Sequence, residues 1–416
     1  MANILLHSLI FSPDGVSTAY LMADLAQELH RLGHSVSVLT TTPHYNVVES
    51  QIAKQPLVQQ AQGLYFSRLG SIPVWHIQMG ERTASPSVRS LGYLGFHLRS
   101  LFWAFGRRQN FDVILTPSPP LTIGLFAWLM SHWQSAKCVY IVQEIYPDFA
   151  IHSGLIHNSL LIWLLKRLEC LIYNKCDAIV TIADRFTKIV SPRCARPEKV
   201  QMIPNFVDTE LYRPLPRENS FSHENGLMGY FTVLYAGNIG VAQDWAVILN
   251  AAERLRAYPI KFVVVGDGTR REWLADTVAQ RRLDNVLMLD YQPRERIPEI
   301  IASCDVATIT MAPHLGSDGF PSKIYTTMAC EKPSIVSTEL DSELAWIVGE
   351  SKCGTVVPAG DNDAYVDAVL EAFQRRDSLA SEGQRGRAFV EKRYSKQAVA
   401  LQYDTLVRSL ARGDKN

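Results

Sequence analysis

Short, mainly apolar runs alternating with amphipathic stretches, twice over, constrain this chain more than any other feature. In the first half the runs lie at 4–6, 35–39, 113–115, 138–142 and 177–182, with helical stretches at about 19–32 and 123–133 between them. A strand that is apolar at every position must be covered on both faces, which is the property of a parallel sheet flanked by helices. The pattern restarts after Pro204, with strands at 232–236, 261–265, 286–289, 306–310 and 334–336, and helices at about 245–257, 270–281 and 297–303. The fold class is therefore α/β, with two doubly wound Rossmann-like domains, 1–205 and 206–392. They are joined through IPNFVDTELYRPLPRENS, and a helix at about 393–416 is expected to return to the first domain. In such sheets ligands sit beyond the carboxyl ends of the strands, so two facing domains predict a site in the cleft between them.

The 416 residues suit two domains, and the content of 47% hydrophobic and 20% charged residues is that of a globular protein. Net charge is zero, which excludes a nucleic-acid binder relying on bulk charge. The zero hides an asymmetry, because residues 1–205 hold 17 Lys+Arg against 12 Asp+Glu, while the remainder holds 24 against 29. A basic first half suits an anionic surface such as lipid, although scatter of surface charge gives the same numbers. Seven Cys with no C-x-x-C pair argue against a disulfide framework or zinc site and fit a reducing cytosol. MANILLHSLIF reads as a first buried strand rather than a signal peptide, and no apolar run is long enough to span a bilayer.

The most informative segment for chemistry is DGFPSKIYTTMACEKP, residues 318–333. Asp318, Gly319, Phe320 and Pro321 lead into a helix that Ser322 can cap, with Lys323 in its first turn. Unpaired N–H groups and the positive dipole end make such a start an anion site. A lysine is unfavourable there unless an anion is present. Asp318 reads either as an Asx-turn residue or as a ligand for a sugar carried by that phosphate. Other candidates are the strand-following turns GNIG (237–240) and GDG (266–268), Glu144 after a strand, and His44, which reads more simply as a loop residue without duty. DND at 361–363 is a possible metal pair, but helix capping accounts for it better and no metal is expected. Residues 89–108 and 155–173 mix Arg or Lys with Leu, Phe and Trp, and are either interfacial membrane segments or helices packed on their own sheet.

Taken in order, FSPDGVST, IVQEIYPD, DAIVTIADRF, IPNFVDTELYRP, LYAGNIGVAQDW, FVVVGDG and DGFPSKIYTTMACEKPS resemble the retaining family-4 glycosyltransferases of the GT-B fold, in particular the bacterial branch that builds capsule, O-antigen and exopolysaccharide repeat units. The resemblance implies a nucleotide diphosphate sugar donor, UDP-linked such as UDP-glucose, no separate cofactor and no metal. It also implies a lipid-linked saccharide acceptor met by a cytoplasmic protein peripheral to the inner face of the plasma membrane. By position, Gly15 approaches the donor phosphates, and Asn238 and Gln243 replace the Arg and Lys that clamp the diphosphate in relatives. Lys323 with the N–H groups of Ser322 and Ile324 would then neutralise the phosphate. Asp318 and Thr326 fall at the two acids of an E-x7-E motif, Glu331 stands where relatives have Gly, and Gly237 and Gly266 belong to the donor-side turns. Tyr291 and Gln292 lie on the loop that meets the base, and Glu144 faces the reaction centre. A nucleotide-sugar epimerase or a binding subunit without turnover are the alternatives on the same architecture.

Overall fold

The computed structural model describes residues 1–80, 86–107, 110–152, 154–313 and 320–412. Contacts divide the chain into two compact units, Met1–Asn205 with Lys396–Asn416, and Phe206–Ser395.

The first unit is built on β1 (Asn3–His7), β2 (Ser35–Thr41), β3 (Val58–Ala61), β4 (Leu64–Leu69), β5 (Ile72–Ile77), β6 (Val113–Pro117), β7 (Lys137–Val142), β8 (Ala178–Thr181) and β9 (Val200–Met202). They lie in the order β3-β4-β5-β2-β1-β6-β7-β8-β9. From β5 through β9 every pairing is parallel, as the apolar runs require. The edge departs from that expectation, because β3, β4 and β5 are antiparallel neighbours. Their turns hold Gly63 and Gly70 at φ +72° and +61°, a conformation that glycine reaches without strain. Val58–Ala61 is exposed throughout, so it carries no burial pattern from which a strand could be read.

The sequence reverses its winding between β1 and β6, which puts the loops after these two strands at a switch point. The helix Lys396–Arg412 returns to the helix Ser17–Arg31 in the same unit. A buried bond fixes that return. The Ala2 N–H donates to His34 Nδ1 at 3.2 Å, which leaves Nε2–H to donate to Asp404 Oδ1 at 2.6 Å. The segment expected at 155–173 is a helix over Ser159–Lys175, started by the Asn158 side chain accepting from the Leu161 N–H.

The second unit is a six-stranded parallel sheet of β10 (Phe231–Ala236), β11 (Ile260–Val265), β12 (Val286–Leu289), β13 (Val306–Thr310), β14 (Ser334–Thr338) and β15 (Gly354–Pro358). The order is β12-β11-β10-β13-β14-β15, with the switch point between β10 and β13. Alternate residues of β10 and β11 face opposite cores: Leu234 and Val263 enter one apolar cluster, Val233 and Phe262 the other. This two-sided burial is why the strands are apolar from Val233 to Ala236 and from Phe262 to Val265.

Five of the described histidines are buried in the first unit, and three of them are strongly shifted. His7 is held down at about 3, His76 at about 4 and His97 at about 4, chiefly because burial disfavours the cation. Each folded value lies below the unfolded value near 6.5, so the unfolded chain binds more protons between those limits. Stability is then intact above pH 6.5 and is lost as pH falls through that window, at up to about 4 kcal/mol per pH unit for three protons. Urea unfolding at pH 7, 6 and 5 should show this steep loss, and a His97→Asn variant should show roughly two-thirds of the slope. A flat profile would mean that these rings accept protons in the folded state.

Candidate active site

The site at the switch point of the second unit begins with glycine. Gly237 follows β10 and Gly266 follows β11, at φ +142° and +146°. A Cβ on Gly266 would lie 1.9 Å from the Gly237 carbonyl oxygen, and one on Gly268 would lie 2.3 Å from the Ile239 oxygen. The two turns are zipped together by Gly237 N–H to Val265 O at 2.9 Å and Ile239 N–H to Asp267 O at 2.8 Å. Only residues without side chains permit two backbones this close. Asn238 and Gln243 brace the same turns. Gln243 Oε1 accepts from the Gly240 N–H at 2.9 Å, and the Asn238 carbonyl accepts from the Tyr235 hydroxyl at 2.6 Å. Neither residue brings a charge.

Lys323 reaches into the space that Gly237 leaves. Its Nζ would be 3.0 Å from a Cβ on Gly237 and lies 3.8 Å from the centre of the Tyr235 ring. The ring face attracts the ammonium, but no carboxylate among the described residues is paired with it. The residue as a whole is half-buried, and desolvation of its ammonium brings the pKa down to about 7. A desolvated lysine without a counter-ion at a switch point is poised for an anion from outside the chain. Tyr235 was not among the residues singled out from sequence; an aromatic residue just ahead of the GNIG turn is the signal that could have found it.

The helix start differs from expectation in two ways. Ser322 does not cap it; the residue is itself helical at φ −58°, ψ −12°, and its side chain makes no capping bond. The Ile324 N–H is turned onto Pro321 O at 3.2 Å, so it is not open to a ligand. Among the described residues, the N–H groups of Ser322 and Lys323 are the ones left without acceptors. The helix Lys323–Ala329 has seven residues, so the ammonium carries more of the positive charge here than the helix dipole does. Thr326 donates its hydroxyl to the Lys323 carbonyl at 2.9 Å, so its proton is used inside its own helix. Phe320 packs against the core and lies 5.3 Å from the Tyr325 ring, which anchors the chain just before the helix. Asp318 and Gly319 lie outside the described residues.

Beside the glycine turns is an open pocket of about 320 Å³ lined by Asp267, Arg271, Asp290 and Tyr291. Arg271 binds Asp290, and Tyr291 is 40% exposed. Gln292 is held by Arg296 and by the Asp290 carbonyl. Asp361 caps its helix by accepting from the Ala364 N–H at 2.9 Å, and Asp363 pairs with Arg254, so the DND run has structural work.

Two expected residues belong to the first unit. Gly15 sits on the loop after β1, where a Cβ would be 2.7 Å from Val48 Cγ2. Its N–H donates to Asn46 O at 2.9 Å, so that donor is engaged by the protein. The loop is fixed by Asp14, whose buried carboxylate accepts from the N–H groups of His44, Tyr45 and Asn46; desolvation raises its pKa. His44 is thereby part of the loop's framework. Glu144 follows β7, half-buried, with its carboxyl raised by desolvation. The neighbouring Gln143 exchanges two hydrogen bonds with Asn205 at 3.1 and 2.8 Å.

Comparison with known proteins agrees across the chain. A family described as glycosyl transferase 4-like domain matches residues 18–205, and one described as glycosyl transferases group 1 matches residues 230–375. The probable glycosyltransferase WbjE of Pseudomonas aeruginosa is 27% identical over 326 residues, covering 75% of this chain and 80% of that one. The putative colanic acid biosynthesis glycosyl transferase WcaI of Escherichia coli K12 is 22% identical, covering 98% and 100%. Among solved structures, Anabaena Alr3699/HepE in complex with UDP superposes with a TM-score of 0.74 at 15% identity, covering 98% of this chain and 100% of that one.

Lys323 yields a test in two parts. Its folded pKa near 7 lies below the usual 10.5, so the folded state carries a penalty for the charge that is full below pH 7 and fades as pH rises from 7 to 10.5. Lys323→Met should leave the melting temperature at pH 6.5 unchanged or higher while abolishing nucleoside diphosphate affinity. Titrating UDP calorimetrically at pH 8 in buffers of different ionisation enthalpy should show proton uptake in the wild type. Equal UDP affinity in the variant would remove Lys323 from the site.

A second test concerns the far end of the same helix. Glu331 holds φ +56° where glycine is the unstrained choice, with its carbonyl close against Gly383. Glu331→Gly should stabilise the protein by about 1 kcal/mol in denaturant titration. The Arg387 contact it gives up is a 3.9 Å pair, worth little at a surface.

Proposed function

This chain belongs to the group 1 glycosyltransferases of the GT-B fold, and we propose that it transfers a hexose from a UDP-sugar, with retention at the anomeric carbon and without a metal, to a lipid-linked saccharide in the assembly of a bacterial surface polysaccharide. The observation that carries the proposal is the Lys323 ammonium, paired with no carboxylate among the described residues and set over Tyr235 against the glycine turns. The names of WbjE, WcaI and the O-antigen chain mannosyltransferase C of Escherichia coli support the polysaccharide context. The complexes of HepE with UDP and with UDP-glucose support a UDP-sugar donor.

The costly event is cleavage of the bond between the anomeric carbon and the diphosphate oxygen, through an oxocarbenium-like state. Positive charge grows on the sugar ring and negative charge on the departing diphosphate. A fixed ammonium stabilises the second charge more than it stabilises the intact donor, which is the condition for faster chemistry. Diphosphate binding restores the proton that Lys323 holds weakly in the empty protein. The acceptor hydroxyl attacks from the face that the diphosphate leaves, its proton passing to the leaving phosphate oxygen, and UDP and the new glycoside are the products. Glu144, with its raised pKa, acts by positioning the acceptor, and Asp318 acts on donor-sugar hydroxyls. Tyr291 stacks on the base, beside the pocket formed with Asp267 and Asp290.

The protein should release UDP from UDP-glucose when supplied with bacterial lipid-linked saccharides, and NMR coupling constants of the product should show the donor's anomeric configuration. Lys323→Ala should lower kcat by about 100-fold or more with little change in melting temperature. Asp318→Ala should weaken UDP-sugar binding but not UDP binding. Wild-type rates in both variants would overturn the site. An isomerised sugar formed without acceptor would replace the reading by an epimerase, and binding without transfer to any acceptor by a non-catalytic subunit.

A further inference from the structure

The helices Pro86–Phe105, Thr122–Gln134 and Ser159–Lys175 lie side by side in the first unit, the first packed on the second and the second on the third. Their outward sides are apolar. On the first, Leu98, Phe102 and Phe105 recur at helical spacing and are 45%, 72% and 45% exposed. On the second, Trp133 is 52% exposed, and its ring meets Phe105 edge-on at 4.8 Å, which joins the two stripes into one surface. On the third, Trp163 and Leu164 are 53% and 50% exposed. Large apolar side chains clustered in this way mark an interaction surface.

Charge selects the partner. The first two helices contain no Asp or Glu. The third contains Glu169 alone, buried and bound by Arg193 and Tyr173. Cations are present and exposed: Arg99, Lys166, and Arg167 resting on the Trp163 ring at 5.4 Å. Trp beside Arg or Lys, over an apolar stripe with no exposed carboxylate, matches the boundary of an anionic bilayer, where rings enter the headgroup region and cations meet phosphates. No described helix is long and apolar enough to cross a membrane, so the fitting geometry is one that lies in the interface.

We infer that the outer face of these three helices docks on an anionic phospholipid bilayer, with Phe102, Trp133 and Trp163 entering the headgroup region. The inference extends the reading of a lipid-linked acceptor, but it stands on this surface alone.

Binding is measured by flotation with phosphatidylglycerol:phosphatidylethanolamine vesicles and with pure phosphatidylcholine vesicles. The wild type should float with the first far more than with the second, and less at high salt. Vesicles brominated near the headgroup should quench its tryptophan fluorescence, and Trp133→Tyr should reduce that quenching. The pair Phe102→Glu with Trp133→Glu should weaken partitioning by about tenfold or more, as should Arg99→Glu with Arg167→Glu, while UDP affinity and melting temperature stay those of the wild type. Leu340→Glu, an exposed apolar change in the second unit, should have no effect. Wild-type flotation in both paired variants would overturn the inference. So would a concentration-dependent dimer lost in the same variants without any vesicle binding, since the face would then serve a second copy. Failure of transfer with flotation intact would count against the acceptor reading and leave the surface standing.

Discussion

Backbone-to-backbone contact between the glycine turns after β10 and β11 is the constraint on which the second unit's chemistry depends. The approach of Gly266 to the Gly237 carbonyl, and of Gly268 to the Ile239 carbonyl, leaves no volume for a side chain. It also clears the space into which Lys323 extends over Tyr235. The turn is braced by neutral groups, Gln243 Oε1 on the Gly240 N–H and the Tyr235 hydroxyl on the Asn238 carbonyl. Among the described residues, the ammonium of Lys323, with its pKa lowered by burial to about 7, is the cation set into that space. In the proposed function a donor carrying a diphosphate would complete that site electrostatically, with proton uptake linked to its binding.

The first unit contributes differently. Its loop after β1 is held by a buried carboxylate, Asp14, whose bonds to three successive N–H groups tie it to the loop after β2. Gly15 serves there as a close-packing residue against Val48 and Asn46. The carboxyl of Glu144, raised by desolvation, is the group of this unit to which the proposed function gives the positioning of the acceptor. The same sheet is covered by three helices with apolar outer sides, so the unit that presents Glu144 also presents the surface suited to lipid.

Much of this was legible before any coordinates. Runs such as 138–142 and 306–310 are strands because burial on both faces leaves no charged position to blur them. The edge strands β3 to β5 were not legible, since Val58–Ala61 is exposed and its pairing partners are set by two glycine turns rather than by an apolar pattern. At the site, Lys323, Gly237 and Gly266 could be named from order and residue type. Tyr235 was not named, because its place beside the GNIG turn gains meaning only from the ammonium that another strand's loop sets over the ring. The capping role expected of Ser322 and the open N–H expected of Ile324 failed for a local reason: the chain tightens after Pro321, so the serine is already helical and the isoleucine N–H is consumed by the turn.

The sequence by itself determined the two sheet units and the glycines at the carboxyl ends of the strands, because these follow from periodicity and from glycine's unique backbone freedom, while the family was carried by the resemblance of ordered motifs. Tertiary structure decided which groups are free and which are already engaged. It gave Gln243, Thr326 and the Gly15 N–H to the protein's own turns, and it left Lys323 without a counter-ion among the described residues. It also turned Phe105 of one helix onto Trp133 of another, making one apolar surface from segments far apart in the chain. Hydrogen-bond satisfaction, desolvation and surface continuity are properties of neighbours in space, and a linear pattern does not record them.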